Sequence, residues 1–173
     1  MAKTSNFAFL ILSFSLLPLL AACAPDSQAD ASGASRGAYE NQTIPPDLDP
    51  AVAGMVNAAL VRANEIRREN NLPELSLDLA ITHAAQGHAA DMLTRNYFEH
   101  ASLDGRSPFD RMRNSGASFR AAAENIAHGQ RSAEQVFHSW LNSPRHRQNL
   151  LNPRYRRQGI GWANGYWVHD FAD

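Results

Sequence analysis

The chain has 173 residues, with 16 Lys plus Arg against 17 Asp plus Glu, a formal net charge of −1 at pH 7 and a single cysteine. That balance excludes the global cationic field of a nucleic-acid binder, and one cysteine excludes an internal disulfide, so core packing has to hold the fold. The length suits one ordinary domain.

The N-terminus has the three parts of a secretory signal. Lys3 is the only charge before Asp26, Phe7 to Leu20 is a nearly unbroken apolar run, and small residues follow in Leu20-Ala21-Ala22-Cys23. A run of about 14 residues is shorter than the roughly 20 that span a bilayer as a helix. Leu-Ala-Ala-Cys is the pattern read by the bacterial lipoprotein signal peptidase. Residues 1–22 are therefore expected to be a lipoprotein signal peptide and Cys23 the lipidated first residue of an exported, membrane-anchored protein facing the periplasm or the cell exterior. An ordinary signal peptide cut nearby, or an uncleaved anchor, are the alternatives. Lys3 is the only lysine, so the mature chain keeps 15 Arg against the same 17 acids. Residues 23–48 have no apolar periodicity and are rich in Ala, Ser, Gly, Asp and Pro, the composition of a flexible linker.

The domain is expected over residues 49–173. Asp49-Pro50 reads as an N-cap followed by proline at the first helical position. Val52, Val56, Ala59, Leu60, Ala63 and Ile66 then recur at helical spacing, which places Arg62, Glu65, Arg67, Arg68 and Glu69 mostly on other faces. Asn70-Asn71-Leu72-Pro73 ends that helix. A second, Ala-rich helix is expected from about Leu77 to Arg95, and Gly87 in its middle suggests close approach to a neighbouring element. Residues 96–106 are irregular, with a turn at Asp104-Gly105. Ser107-Pro108 starts a short helix, and Ala121 to Ala127 reads as extended. Ser132 with Gln135 reads as a capping box for a helix carrying Val136, Phe137, Trp140 and Leu141. Ser143-Pro144 starts one more short helical piece. Finally, Asn164-Gly165 between Gln158–Ala163 and Tyr166–Ala172 is a strong hairpin signal.

Four stretches carry a resemblance: Tyr97-Phe98-Glu99-His100-Ala101-Ser102-Leu103-Asp104-Gly105, Ala123-Glu124-Asn125-Ile126-Ala127, Trp140 to Leu151, and Gly159-Ile160-Gly161-Trp162. With Tyr166-Trp167-Val168 they resemble, in order and spacing, the bacterial branch of the CAP superfamily of cysteine-rich secretory proteins, antigen 5 and pathogenesis-related proteins, whose domain is also called SCP. The resemblance covers about residues 50–173. It implies an α+β fold, a three-layer α-β-α sandwich with a central, mainly antiparallel sheet, and a cleft lined by two histidines and two acidic residues. His100 and His146 match the histidines and Glu124 one acid. Ser143 stands where eukaryotic members carry the second acid, which puts in doubt any activity that needs it. Glu134, in the first turn of its helix, suits the helix dipole better than the cleft.

Two imidazoles and a carboxylate suit a zinc ion with an open water position, so His100, His146 and Glu124 are a candidate metal site and a hydrolase is one reading. Without metal the histidines can bind a polar group of a lipid or an envelope glycan, or simply tie loops to the sheet. His83 and His88, about 140° apart around their helix, do not readily share a metal. His88 reads as a packing residue, His128 as a loop residue and His138 as solvent-facing, and His169 is expected exposed on the last strand. Arg145, Arg147, Arg154, Arg156 and Arg157 read either as an anion site or as a solvated face balanced by acids, the second being favoured. Trp162, Tyr166 and Trp167 line a groove or pack in the core, again with the second favoured. No Ser-His-Asp nucleophile elbow, catalytic cysteine or phosphate loop is present.

Overall fold

The computed structural model describes Ile44, Pro45 and residues 47–173. The expected signal peptide, Cys23 and the linker as far as Thr43 lie outside the described residues. Ile44 is half-buried against the core, so packing begins a few residues before the expected domain start at Asp49.

Helix α1 (Pro50–Glu69) is opened by Asp49, whose carboxylate accepts from the Ala51 N–H at 2.8 Å. Arg67 does not lie on a polar face of it. It is fully buried and donates to the carbonyls of Pro73 (2.8 Å), Leu150 (2.9 Å), Asn152 (3.1 Å) and Tyr155 (3.3 Å). Four carbonyl oxygens thus solvate a cation that has no carboxylate beside it, and they tie α1 to the segment that leads into the final hairpin. Helix α2 (Leu79–Arg95) starts two residues later than the Ala-rich pattern suggests. Ser76–Leu77 is instead a short strand, β1, and Asp78 caps the helix. Helix α3 (Pro108–Asn114) has a true capping box between Ser107 and Asp110. Strand β2 (Ala122–His128) follows, and then α4 (Ala133–Leu141) and α5 (Pro144–Leu150). Ser132 accepts from the Gln135 N–H, but the Gln135 side chain returns to the N–H of Arg131, so that box closes one residue before the cap. The hairpin is β3 (Arg157–Ala163) and β4 (Tyr166–Ala172), joined by Asn164 (φ 41°) and Gly165 (φ 90°), the left-handed pair that a type I′ turn needs.

Among the described residues the sheet has four strands in the order β1-β3-β4-β2. Only the β1–β3 pair is parallel. One face is covered by α2 and α3, the other by α1, α4 and α5, which makes the α-β-α sandwich. The largest core packs Leu60, Ile66, Phe137, Trp140, Ile160, Trp167 and Phe171 on the α1–α4 side. On the other side α2 lies directly on β3. A Cβ on Gly159 would sit 2.3 Å from the Thr82 nitrogen, and one on Gly161 2.3 Å from the Ala85 carbonyl carbon. The close approach expected at Gly87 is therefore made by these two strand glycines. Nothing lies within 4 Å of a Cβ built on Gly87, which faces open space.

Strand β4 is buried along its whole length, because it is an inner strand with helices on both faces. His169 is accordingly not exposed but fully buried, 3.9 Å centroid to centroid from Phe171, with Nε2 donating to Gln158 Oε1 at 3.0 Å. Burial, and then the charge of Arg67, push its basicity well below that of an ordinary histidine. Trp167 and Tyr166 are buried and Trp162 is partly so, all three in the core.

Candidate functional site

β2 is an edge strand, and the candidate site is built around that edge. Glu124 points from β2 to the α2–α3 side of the sheet. His100 comes to it from the loop after α2, and His146 from α5. The His100 Nδ1–H donates to Glu124 Oε1 at 2.7 Å, which fixes the tautomer and turns Nε2 outward; the His100 side chain is 54% exposed and that of Glu124 only 2%. Arg111 of α3 holds the other oxygen, Nη2 to Oε2 at 2.5 Å. Its Nη1 donates to the His100 carbonyl (2.9 Å), the Ser102 hydroxyl (3.1 Å) and the Arg106 carbonyl (3.3 Å). One buried guanidinium thus fixes both Glu124 and the loop that carries His100.

His88 supports that loop from below. It is buried, as its packing role requires, with Nε2 3.0 Å from the Glu99 carbonyl oxygen. Tyr97 donates to Asp91, and burial with that hydrogen bond pushes its hydroxyl up to about 12. His146 is held by two asparagines on the other side of the edge. Asn125 donates to the His146 carbonyl at 3.0 Å, and Asn149 donates to Asn125 Oδ1 at 2.9 Å. Burial, and then the charge of His100, lower the basicity of His146, so the two imidazoles sense each other and His146 favours its neutral form.

The structure thus brings His100 and Glu124 into contact and His146 within electrostatic reach of His100. Ser143 caps α5 three residues before His146, and its hydroxyl makes no cap hydrogen bond. Glu134 sits in the first turn of α4, where its own backbone N–H and the Ser132 hydroxyl hold it below the usual carboxylate range. Ser143 and Glu134 therefore add no second carboxylate beside Glu124. A different acid stands there. Asp170 of β4 lies directly opposite Glu124 in the ladder and is fully buried. Neither of its oxygens has a hydrogen-bond partner of normal geometry. Burial and then the Glu124 charge, only partly offset by Arg111, raise it well above an ordinary aspartate, which favours its neutral form.

A zinc shell of His100, His146 and Glu124 does not fit these contacts. Both Glu124 oxygens are committed, to His100 and to Arg111. Among the described residues no group of three or more His, Cys, Asp or Glu is arranged to hold a metal ion. The basic cluster is also divided. Arg157 binds Asp78 at 2.7 Å together with the carbonyls of Ser118 and Asp173, Arg156 folds onto Pro153 and Tyr155, and Arg154 lies 3.8 Å from Asp173, while Arg145 and Arg147 are exposed. His138 is exposed, and His128, at the end of β2, stacks on Tyr166 at 4.0 Å.

Reasoning from sequence misses Arg111, Asp170 and the Asn125–Asn149 link. The two asparagines lie inside the resembling segments, flanking the named acid and following the named histidine. Arg111 shows no signal beyond a charged position in a short helix.

Comparison with known proteins agrees with this architecture. The chain is 38% identical over 110 residues to the uncharacterized protein YkwD of Bacillus subtilis, covering 62% of this chain and 43% of that protein. It is 36% identical over 108 residues to the uncharacterized membrane protein YlbC of the same organism, covering 62% and 31%. The match thus spans less than half the length of either relative. Among solved structures, an extracellular SCP-domain protein of Bacillus anthracis superposes with a TM-score of 0.69 at 32% identity, over 74% of this chain and 45% of that one. An outer surface protein of Borrelia burgdorferi gives 0.61 at 25% identity, over 66% and 88%. The profile of the CAP family, the cysteine-rich secretory protein family, matches residues 60–171, and the chain belongs to that family.

Proposed function

We propose that the protein is an exported, lipid-anchored envelope module whose His100–Glu124–His146 face binds a polar group of an envelope ligand, either a glycan or the head of an amphipathic lipid. One observation carries this reading. Glu124 is immobilised by His100 and Arg111 while the His100 ring stands 54% exposed, an arrangement that orients an imidazole for recognition and leaves no free carboxylate to activate water. His100 Nε2 and the ring of His146 are then the polar groups offered to ligand hydroxyls. The extracellular, outer-surface and membrane relatives support an envelope location. Lipidation of Cys23 supplies the membrane partner and keeps the module close to the protein's own membrane. Among the described residues no helix is long and apolar enough to cross a membrane.

The binding test compares the full-length protein with a His100→Ala, His146→Ala double variant against solubilised envelope glycan and against vesicles of envelope lipid. At least a tenfold weaker interaction with one of the two is expected for the variant, and that preparation identifies the ligand class. Equal retention of both proteins on both preparations would sink the reading. Hydrolysis of either preparation, lost on adding a chelator, would restore the metal-dependent hydrolase in its place. Lipid anchoring is tested separately: Cys23→Ser should move the protein from the membrane fraction to the soluble one with its thermal midpoint unchanged.

A further inference from the structure

Arg111 borders more than the histidine face. On its other side, between α2 and α3, lies a cavity of about 380 Å³ lined by His83, Gly87, Asp91, Arg106, Arg111 and Asn114. That volume falls within the range of small-molecule pockets. Its lining is polar, and Ser102 and Ser115 add hydroxyls to it. The donors around it are incompletely used. Arg111 is only 5% exposed and its Nε–H, which has no acceptor, is sealed from solvent, so Arg111 gives the cavity wall positive charge rather than a donor. Arg106 engages Asp104 through Nε and Nη2, which leaves Nη1 available. Asp91, the one acid of the lining, is already matched by Arg95 and by the Tyr97 hydroxyl, so it repels an anion less than its formal charge implies.

Gly87 is part of the cavity wall. It is exposed in the middle of α2, and a Cβ there would meet nothing within 4 Å. Glycine is the poorest helix former after proline, and no close helix contact or positive φ accounts for it at this position. What the missing side chain does is keep the cavity open.

We propose that this cavity is a second binding site, separate from the His100–His146 face, for a small carboxylate carrying hydroxyl groups, of the size and chemistry of a uronic acid. The carboxylate lies against the Arg106 guanidinium, whose Nη1 donates to it, with the charge of buried Arg111 behind it, a charge-assisted contact. Asn114, Asp91 and the two serine hydroxyls are the partners for ligand hydroxyls. A neutral sugar lacks the charged contact and binds more weakly.

The full-length protein is titrated with D-glucuronate and, separately, with D-glucose, following backbone amide resonances by NMR. Glucuronate should shift Gly87, Asn114 and Ser115 with an affinity at least tenfold above that of glucose. Gly87→Leu should abolish the shifts by filling the cavity, and Arg106→Gln should weaken binding about tenfold while removing only an exposed side chain. Gly87→Leu is checked for a native amide spectrum, and if it fails to fold, Arg106→Gln decides alone. Equal affinity for glucose, shifts that persist in the filled or Arg106 variant, shifts confined to the neighbourhood of His100 and His146, or no shifts at millimolar glucuronate would each overturn the proposal. The His100→Ala, His146→Ala variant should bind glucuronate normally, so loss of the proposed envelope function and loss of this site are read independently.

Discussion

Replacing Asp170 by asparagine tests the electrostatics beneath the candidate site. The buried cluster contains one cation, Arg111, and its charge is matched by Glu124 at 2.5 Å. A second ionised carboxylate at Asp170 would be buried without a counter-charge and directly across the ladder from Glu124, so the native state keeps Asp170 protonated. The unfolded chain ionises it above a pH of about 3.9. With one proton bound in the native state and none in the unfolded state, stability falls by about 1.4 kcal/mol for each pH unit above that point, for as long as the native carboxyl stays neutral. The contribution of a raised group is thus fully present in acid and is lost as the pH rises. An asparagine side chain has the same shape and no proton to lose. Urea unfolding of both proteins should show the Asp170→Asn variant gaining on the wild type as the pH is raised between about pH 4.5 and 6.5, at a slope of no more than about 1.4 kcal/mol per pH unit. Groups other than Glu124, His169 among them, are common to both chains and cancel in the difference. A stability difference that stays flat across this window would mean that Asp170 is ionised in the folded protein and that Arg111 serves two carboxylates, and the charge count above would be wrong.

Other consequences can be measured on the same scale. Arg67→Ala leaves four carbonyl oxygens without their donor and should lower stability by about 3–5 kcal/mol in urea, although the residue touches no part of the site. Gly161→Ala places a methyl group 2.3 Å from the α2 backbone and should cost about 1–3 kcal/mol as an overpacked contact, whereas Gly87→Ala should stabilise by about 0.5–1 kcal/mol through helix propensity; calorimetric midpoints moving in the same direction for both would contradict the packing described. His169 should remain neutral in ring-nitrogen NMR spectra below pH 6.5, because its folded basicity is depressed. The unfolded chain binds that proton below about 6.5, so this group's contribution to stability is present above that pH and is lost as the pH falls. Protonation of native His169 near pH 6.5 would show that its ring has access to water.

Much of this was legible in the chain because local signals and tertiary demands coincide. Asp49-Pro50, Ser107-Pro108 and Asn164-Gly165 mark places where backbone geometry allows few residue types, and the elements begin or turn there. His100, Glu124 and His146 were legible only through the resemblance, since no spacing rule joins residues from a loop, an edge strand and a short helix. What stayed hidden has a common physical origin. Alternation along a strand reports burial only when one face meets water, and β4 has helices on both. His169, which reads as exposed on the last strand, and Asp170 beside it are therefore both fully buried. Arg67 misleads for the related reason that helical periodicity assumes a cation faces solvent, whereas here carbonyl groups around α5 and the following loop replace the water.

The same reasoning connects the site to its support. A half-exposed histidine paired with a carboxylate on an edge strand would be a mobile surface contact of little energetic weight, were Glu124 not anchored from behind. Arg111 supplies that anchor, and a guanidinium can do so because its planar fork reaches Glu124 through one nitrogen and the His100 loop through another. Lysine has a single ammonium group with which to serve both. Arg111→Lys should therefore keep a charge beside Glu124 yet loosen the loop. The expected signature is faster amide hydrogen exchange at Ala101, Ser102 and Arg106 with α4 and β4 unaffected, and unchanged exchange in that loop would place the anchoring elsewhere, with the His88 contact to Glu99 as the remaining support.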